Sequence, residues 1–68
     1  MIQAILFKRN KWNLNEINYF LTIHNIKYLS YRITNTYFRV RLKEPDYNNY
    51  IYRIRKNIFI DYIEGIHK

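Results

Sequence analysis

Residues 28–43, with the sequence YLSYRITNTYFRVRLK, decide the fold. Apolar side chains alternate with polar or basic ones on both sides of Thr34-Asn35-Thr36. A period of two is typical of strands that bury one face, and Asn35 favours a turn because it tolerates the left-handed conformation. The stretch therefore predicts an antiparallel hairpin with one apolar and one basic face. The apolar positions are Leu29, Tyr31, Ile33, Phe38, Val40 and Leu42, and the others are Tyr28, Ser30, Arg32, Tyr37, Arg39, Arg41 and Lys43.

An apolar run precedes this hairpin near the start of the chain. Ile2–Phe7 contains no charged residue and is followed by the basic segment Lys8–Lys11. A short apolar run bounded by charges is typical of a buried strand. We therefore expect a buried strand over residues 2–7, followed by a basic loop.

Asn13 and Glu16 mark the start of a helix between the first strand and the hairpin. The Asn13 side chain can cap the helix, and Glu16, three residues later, completes a capping box. Trp12 precedes the cap, at the position where a hydrophobic staple folds back onto the helix. An apolar stripe of about three turns follows, made of Leu14, Ile17, Phe20, Leu21 and His24.

The rest of the chain predicts further strands. Pro45 ends the hairpin, and Asp46–Tyr50 is a loop rich in Asn and Tyr. Ile51–Lys56 alternates again, and Ile58–Ile63 is the final strand, closed by Glu64-Gly65. The order is β-α-β-β-β, an α+β fold in which one helix packs on one face of a small antiparallel sheet. The predicted core packs Trp12, Leu14, Ile17, Phe20 and Leu21 against Ile5, Phe7, Leu29, Tyr31, Phe38 and Val40.

Length and composition limit the class of protein. Sixty-eight residues with one Gly and one Pro predict a single domain over residues 1–68. The chain has no Cys, which excludes disulfides, and its two His and five scattered carboxylates predict no metal site. No run of about 18 apolar residues occurs, so we expect no membrane insertion. A core this small, with 19% aromatic residues, predicts a homodimer that hides part of the aromatic surface.

The sequence offers little for catalysis. Ser30 is the only serine, and no glycine-rich loop is present to bind a cofactor phosphate. The acidic pairs Glu44 with Asp46 and Asp61 with Glu64 fit solvated charges at loops or strand ends better than a general acid and base. We therefore expect neither an enzyme nor a bound cofactor.

Positive charge is the clearest functional feature of the composition. Twelve Lys and Arg against five Asp and Glu give a net charge of +7. A field of this density attracts polyanions, and we rank nucleic acid first, an anionic membrane surface second and an acidic protein third. The alternative is a merely solvated basic surface that follows from AT-rich codon usage, which accounts for the Lys but not for the six Arg.

The polar face of the hairpin combines this charge with tyrosine. Alternation spaces Arg39, Arg41 and Lys43 about 7 Å apart, close to the phosphate repeat along one nucleic-acid strand. Arg and Lys neutralise phosphates, and Tyr stacks on exposed bases. Because Arg and Tyr are also enriched in protein interfaces, the same face fits a dimer interface. The predicted nucleic-acid-binding residues are Arg32, Tyr37, Arg39, Arg41, Lys43, Arg53, Arg55 and Lys56.

A set of residues along most of the chain follows a family pattern. In chain order they are Ala4-x-Leu6-Phe7, Lys11-Trp12-x3-Glu16-x4-Leu21-x2-His24, Tyr37-Phe38-Arg39-Val40-Arg41, Pro45 and an Ile-rich strand ending in Gly65. The pattern resembles a family of small uncharacterised proteins carried by large DNA viruses of amoebae and algae. A similar arrangement of Trp, Glu, His, two Arg and Pro occurs in phage proteins linked to head assembly.

The resemblance implies a small viral protein that is packaged in the virion. It also implies a location in the host cytoplasm, at the viral factory, or in the host nucleus, and it supplies no catalytic residues. Together with the charge, it favours non-specific binding to the phosphate backbone of nucleic acid, in genome packaging or an accessory role. The alternative is a structural virion module or protein-interaction module, in which the basic face contacts a host or virion protein.

Overall fold

The computed structural model describes residues 1–68 and contains one helix and five strands. The elements are β1 (Ile2–Lys8), α1 (Leu14–Ile23), β2 (Ser30–Ile33), β3 (Tyr37–Arg41), β4 (Tyr50–Arg55) and β5 (Ile60–His67). The α+β class, with a single helix and an antiparallel sheet, is therefore confirmed. The C-terminal part of the chain forms two separate strands, β4 and β5, which brings the total to five.

β1 lies at the centre of the sheet, whose strand order is β2-β3-β1-β5-β4, with every neighbouring pair antiparallel. All side chains from residue 3 to residue 7 are buried. The central position explains this burial, because Ile5 and Phe7 pack towards α1 while Leu6, on the opposite face, lies between Arg39 of β3 and Asp61 of β5. Ile5 of this strand pairs with Val40 of β3 on one side and with Tyr62 of β5 on the other.

The core lies between α1 and one face of the sheet. Its buried members are Ile17 and Leu21 of the helix and Ile5, Phe7, Phe38 and Val40 of the sheet. The Phe7 ring meets Trp12 edge-on at 4.9 Å and Phe20 at 5.6 Å, the geometry that aromatic pairs prefer. The Trp12 indole N–H donates to the Phe59 carbonyl at 2.9 Å, so its polar end is satisfied while its ring packs on the core.

The predicted capping box at the start of α1 is confirmed. The Asn13 Oδ1 accepts from the backbone N–H of Glu16 at 2.8 Å, and the Glu16 Oε1 accepts from the backbone N–H of Asn13 at 3.0 Å. The helix ends at His24, whose backbone N–H donates to the Phe20 carbonyl at 3.2 Å. Asn13 and Glu16, three residues apart, therefore fix where this helix begins.

The left-handed residue of the chain is Asn25 and not Asn35. Asn25 has a φ of 53° directly after the helix, where this conformation commonly ends a helix. Asn35 can adopt this conformation, but in the turn between β2 and β3 its φ is not positive. Instead, the Thr34 hydroxyl accepts from the backbone N–H of Tyr37 at 3.0 Å and closes the turn without a positive φ.

Three predicted core residues lie at the surface. Leu14 is 46% exposed at the first turn of α1, Leu29 is 58% exposed just before β2, and Tyr31 is 39% exposed within β2. Five strands about 4.8 Å apart form a sheet about 19 Å wide, whereas a helix is about 10 Å across. The single helix therefore covers the central strands, and β2 at the edge remains outside the core.

β5 begins two residues later than expected, at Ile60, and continues through Gly65 to His67. The Gly65 N–H donates to the Met1 carbonyl at 2.8 Å, and the Met1 amine donates to the Gly65 carbonyl at 3.0 Å. A Cβ at position 65 would lie 2.9 Å from Cε1 of Tyr52. Glycine is accommodated within this strand because the Tyr52 ring occupies the space of its missing side chain.

Candidate functional site

No helix covers the face of the sheet opposite α1, which we call the open face. Residues that pair directly across strands share a face, and the alternate residues of β3 pack towards α1. Arg39 lies opposite Leu6 on one side and Arg32 on the other, and Arg41 lies opposite Ser30. Three arginines from two neighbouring strands therefore share the open face.

Arg32, Arg39 and Arg41 form an arginine cluster with little compensating charge. No carboxylate lies within 4.0 Å of Arg32 or Arg39. The Arg41 Nη1 is 3.8 Å from Oε2 of Glu44, whose side chain is 75% exposed, so this ion pair contributes little. Arg32 and Arg39 pair directly across the two strands, an arrangement of like charges that destabilises a sheet. The cluster is therefore a concentrated positive charge.

A pocket of about 220 Å³ lies within the arginine cluster. Its lining residues are Ser30, Tyr31, Arg32, Arg39 and Arg41. The Nε of Arg39 is buried and has no hydrogen-bond partner. A buried donor without an acceptor costs about 1–3 kcal/mol. The pocket is thus a cationic recess, and one buried donor of a lining residue has no acceptor within the protein.

A buried carboxylate beside the arginine cluster ties three strands together. Asp61 of β5 lies opposite Leu6 on the open face, and its side chain is 1% exposed. Its Oδ2 accepts from the Tyr37 hydroxyl of β3 at 2.6 Å. Its Oδ1 accepts from the backbone N–H of Asn57 at 3.2 Å and lies 3.7 Å from the Lys8 Nζ of β1.

The surroundings keep Asp61 charged and Tyr37 neutral. Burial by itself raises the pKa of Asp61, because it removes the carboxylate from water. The hydrogen bonds from Tyr37 and Asn57 and the charges of Lys8 and Lys56 outweigh burial and hold the pKa of Asp61 below its usual value. The hydrogen bond to Asp61, and then burial, raise the pKa of Tyr37. The pair therefore links β3 to β5 across β1, and the Tyr37 hydroxyl is already occupied.

A tyrosine cluster lies at the other edge of the open face. Ile54 of β4 lies opposite Ile63, which pairs with the open-face residue Ala4, so Tyr50 and Tyr52 share this face. The Tyr52 ring meets Tyr47 at 5.5 Å and Tyr50 at 6.2 Å. The loop predicted for residues 46–50 gives no indication of this cluster, which consists of Tyr47, Tyr50 and Tyr52. The alternation of Tyr50, Tyr52 and Ile54 is the signal that indicates it.

Arg53 and Arg55 do not extend the basic surface of the hairpin. The register of β4 with β5 turns Ile54 towards the open face and its neighbours, the predicted residues Arg53 and Arg55, towards the α1 side. The Arg53 Nη2 also donates to Oε1 of Glu64 at 3.0 Å, so its charge is paired. Arg55 and Lys56 are exposed and have no carboxylate partner.

Lys43 lies two residues beyond β3 and is exposed. Its carbonyl accepts from Nε2 of Gln3 at 2.7 Å, which holds the backbone beside β1 at this point. Its ammonium makes no ion pair. Of the eight residues predicted from the sequence, the structure therefore places Arg32, Tyr37, Arg39 and Arg41 together on the open face, with Lys43 following the end of β3.

Comparison with known protein families, curated proteins and solved structures finds no match for this chain. The viral resemblance therefore stays a prediction. No helix of the structure has the length and hydrophobicity needed to span a bilayer. No three His, Asp or Glu side chains gather closely enough to hold a metal ion. Geometry and charge are the observations from which a function is inferred.

Proposed function

We propose that this protein binds nucleic acid through the arginine cluster, by contacts with the phosphate backbone and without reading base sequence. The observation that carries the proposal is the placement of Arg32, Arg39 and Arg41 on one sheet face with almost no neutralising carboxylate. Arginine presents its donors in a fork that matches a phosphate, and each neutralised phosphate releases condensed counterions. Such contacts position a protein on nucleic acid but carry no sequence information.

The open face also offers a route for a single strand. The tyrosine cluster begins on β4, which lies three strand spacings, about 14 Å, from β3. Stacking of a base on an aromatic side chain contributes about 1–3 kcal/mol and tolerates every base. A single strand that crosses the sheet from β3 to β4 would place phosphates at the arginine cluster and bases at the tyrosines. We therefore expect single-stranded nucleic acid to bind more tightly than duplex.

In the viral setting that the resemblance implies, this activity suits genome packaging or an accessory role in the virion, the viral factory or the host nucleus. A homodimer would present two arginine clusters to the same nucleic acid and raise the overall affinity by multivalency. Light scattering at high micromolar concentration tests the dimer. A species of twice 8.6 kDa supports it, and an 8.6 kDa species alone contradicts it.

Salt dependence tests the proposed activity. Binding of random-sequence duplex and single-stranded DNA is measured at several salt concentrations for the parent protein and two double variants. The test variant is Arg39→Gln with Arg41→Gln, and the matched control is Arg55→Gln with Lys56→Gln. Both variants remove two positive charges from exposed or half-exposed positions, but only the first removes them from the open face.

The two variants are expected to differ in the salt dependence of DNA binding and not in folding. On duplex DNA the slope of log affinity against log salt should fall by about 1.8 in the test variant, since each lost phosphate contact removes about 0.9. The control should keep the parent slope, and circular dichroism should show both variants folded. An unchanged slope in a folded Arg39→Gln, Arg41→Gln protein contradicts the proposal.

A second candidate function, a structural or protein-interaction module, is favoured by a separate apolar surface. Ile58 and Phe59 are 71% and 61% exposed just before β5. Ile51 and Ile66, which pair across β4 and β5 on the α1 side, are also exposed. Exposed apolar patches mark protein interfaces. An association through this surface would keep its affinity as salt rises, whereas phosphate contacts weaken steeply.

A further inference from the structure

We infer that the pocket within the arginine cluster binds one phosphate group, with Arg39 as its central donor. The pocket volume of about 220 Å³ is far above the roughly 10–15 Å³ that one bound water needs, so the pocket has room for a phosphate group. The inference rests on the proposed function for the source of that phosphate, which is the backbone of a nucleic acid.

The hydrogen-bonding state of Arg39 fits an oxyanion. Its Nε is buried and lacks an acceptor, although the residue lines an open pocket. The guanidinium fork pairs with two oxygens of one phosphate, and a turn of the Arg39 side chain into the pocket would bring its Nε to an acceptor as well. Ser30 lines the same pocket from β2, where its hydroxyl can donate to a further oxygen. The pocket therefore offers donors from two strands to a single anion.

The charge of the pocket also favours a bound phosphate. Arg32 and Arg39 lie directly opposite each other, and an anion between them would turn a repulsive pair into two attractive ones. No carboxylate of the chain lines the pocket. Asp61 and Glu64 are paired with Lys8 and Arg53. Apart from the exposed Glu44, whose Oε2 lies 3.8 Å from Nη1 of Arg41, the protein supplies no counter-charge to the pocket, and a bound phosphate would.

Side-chain NMR tests the pocket directly. Each arginine gives an Nε–H signal, and these signals are followed while inorganic phosphate or a short oligothymidine is added, with chloride at equal ionic strength as the reference. We expect the Arg39 signal to shift and saturate with phosphate and with the oligonucleotide but not with chloride. Failure of the Arg39 signal to move with any phosphate, while other arginine signals shift, overturns the inference.

Arg39→Lys separates the geometry of the pocket from its charge. Lysine keeps the positive charge but loses the fork, so phosphate binding should weaken roughly tenfold. Arg55→Lys, on the α1 side, is the matched control and should bind as the parent does. Thermal unfolding by circular dichroism establishes that both variants are folded.

The outcomes distinguish the pocket from the proposed function. If the oligonucleotide binds the parent and Arg39→Lys equally well, nucleic-acid binding stands and the phosphate pocket is wrong. If inorganic phosphate saturates the Arg39 signal but no oligonucleotide binds, the pocket stands and the nucleic-acid proposal is wrong. Equal weakening by Arg39→Lys and Arg55→Lys indicates diffuse charge attraction and also overturns the pocket.

Discussion

Replacing Arg39 with methionine should stabilise the unliganded protein while weakening its binding of nucleic acid. Arg39 faces Arg32 directly and carries a buried Nε without an acceptor. Methionine removes both unfavourable features and keeps a long unbranched stem beside Leu6, which is buried on the open face. Stability and binding should therefore change in opposite directions at this single residue.

The size of the effect follows from the two features that Arg39→Met removes. A pair of like charges directly opposite each other in a sheet costs about 0.2–1 kcal/mol. The unsatisfied buried donor costs about 1–3 kcal/mol, and the hydration that a half-exposed guanidinium retains reduces that figure. We expect a net gain of about 1–2 kcal/mol in the free energy of unfolding. For a domain of this size, each kcal/mol corresponds to about 4–8 °C in Tm.

Urea unfolding at low and high salt measures this gain. The midpoint should rise in Arg39→Met while the slope of free energy against urea stays that of the parent. The part due to repulsion should shrink at high salt, because about 1 M salt screens charges beyond about 3 Å. Arg55→Met is the control, since Arg55 is exposed and faces the uncharged ring of Tyr62.

Two results would refute this reasoning. The first is an Arg39→Met protein that is less stable than the parent at every salt concentration, which would show that the guanidinium is satisfied in the free protein. The second is equal stabilisation by Arg55→Met, which would show that general charge reduction accounts for the gain. In either case the conclusion that the buried Nε and the facing Arg32 make Arg39 unfavourable in the free protein would be wrong.

Three further predictions concern the scaffold that holds the open face. Leu21→Ala should lower the free energy of unfolding by about 2–5 kcal/mol in urea titrations, because Leu21 is a buried member of the core. Gly65→Val should destabilise the fold and shift the NMR signals of Tyr52, whose ring lies 2.9 Å from the position of the added Cβ; an unperturbed Tyr52 would contradict this. Asp61→Asn should reduce the loss of unfolding free energy that the parent protein shows as the pH becomes acidic. Because the folded pKa of Asp61 lies below its unfolded value, its contribution is complete above about pH 4 and is lost as the pH falls through the folded pKa; the comparison of urea midpoints at neutral and acidic pH measures this.

Local chemistry explains which elements the sequence could predict. The helix start follows from Asn13 and Glu16, three residues apart, and the structure contains both of their hydrogen bonds. The hairpin follows from strict alternation, which places Arg39 and Arg41 on the face opposite Phe38 without any knowledge of the rest of the fold. Signals that lie within a few residues of one another are sufficient for these elements.

Features that depend on strand order could not be predicted in this way. Alternation in β4 shows that Arg53 and Arg55 share a face, but only the pairing with β5 shows which face it is. Leu29 and Tyr31 have the pattern of core residues, yet the edge position of β2 leaves them beyond the reach of the helix. The bond between Tyr37 and Asp61 joins residues 24 positions apart and has no local signal.

The contrast between Asp61 and Arg39 indicates where a ligand belongs on the open face. Both charged residues flank Leu6, from β5 and β3 respectively. Asp61 accepts hydrogen bonds on both carboxylate oxygens, from the Tyr37 hydroxyl and the Asn57 backbone N–H. This fold therefore satisfies a buried charge that links its strands. Arg39 has a buried Nε without an acceptor, and Arg32 opposite it adds repulsion. Because sequences depart from local consistency mainly at functional sites, the unsatisfied arginine and not the satisfied aspartate is the place where we propose that an anion binds.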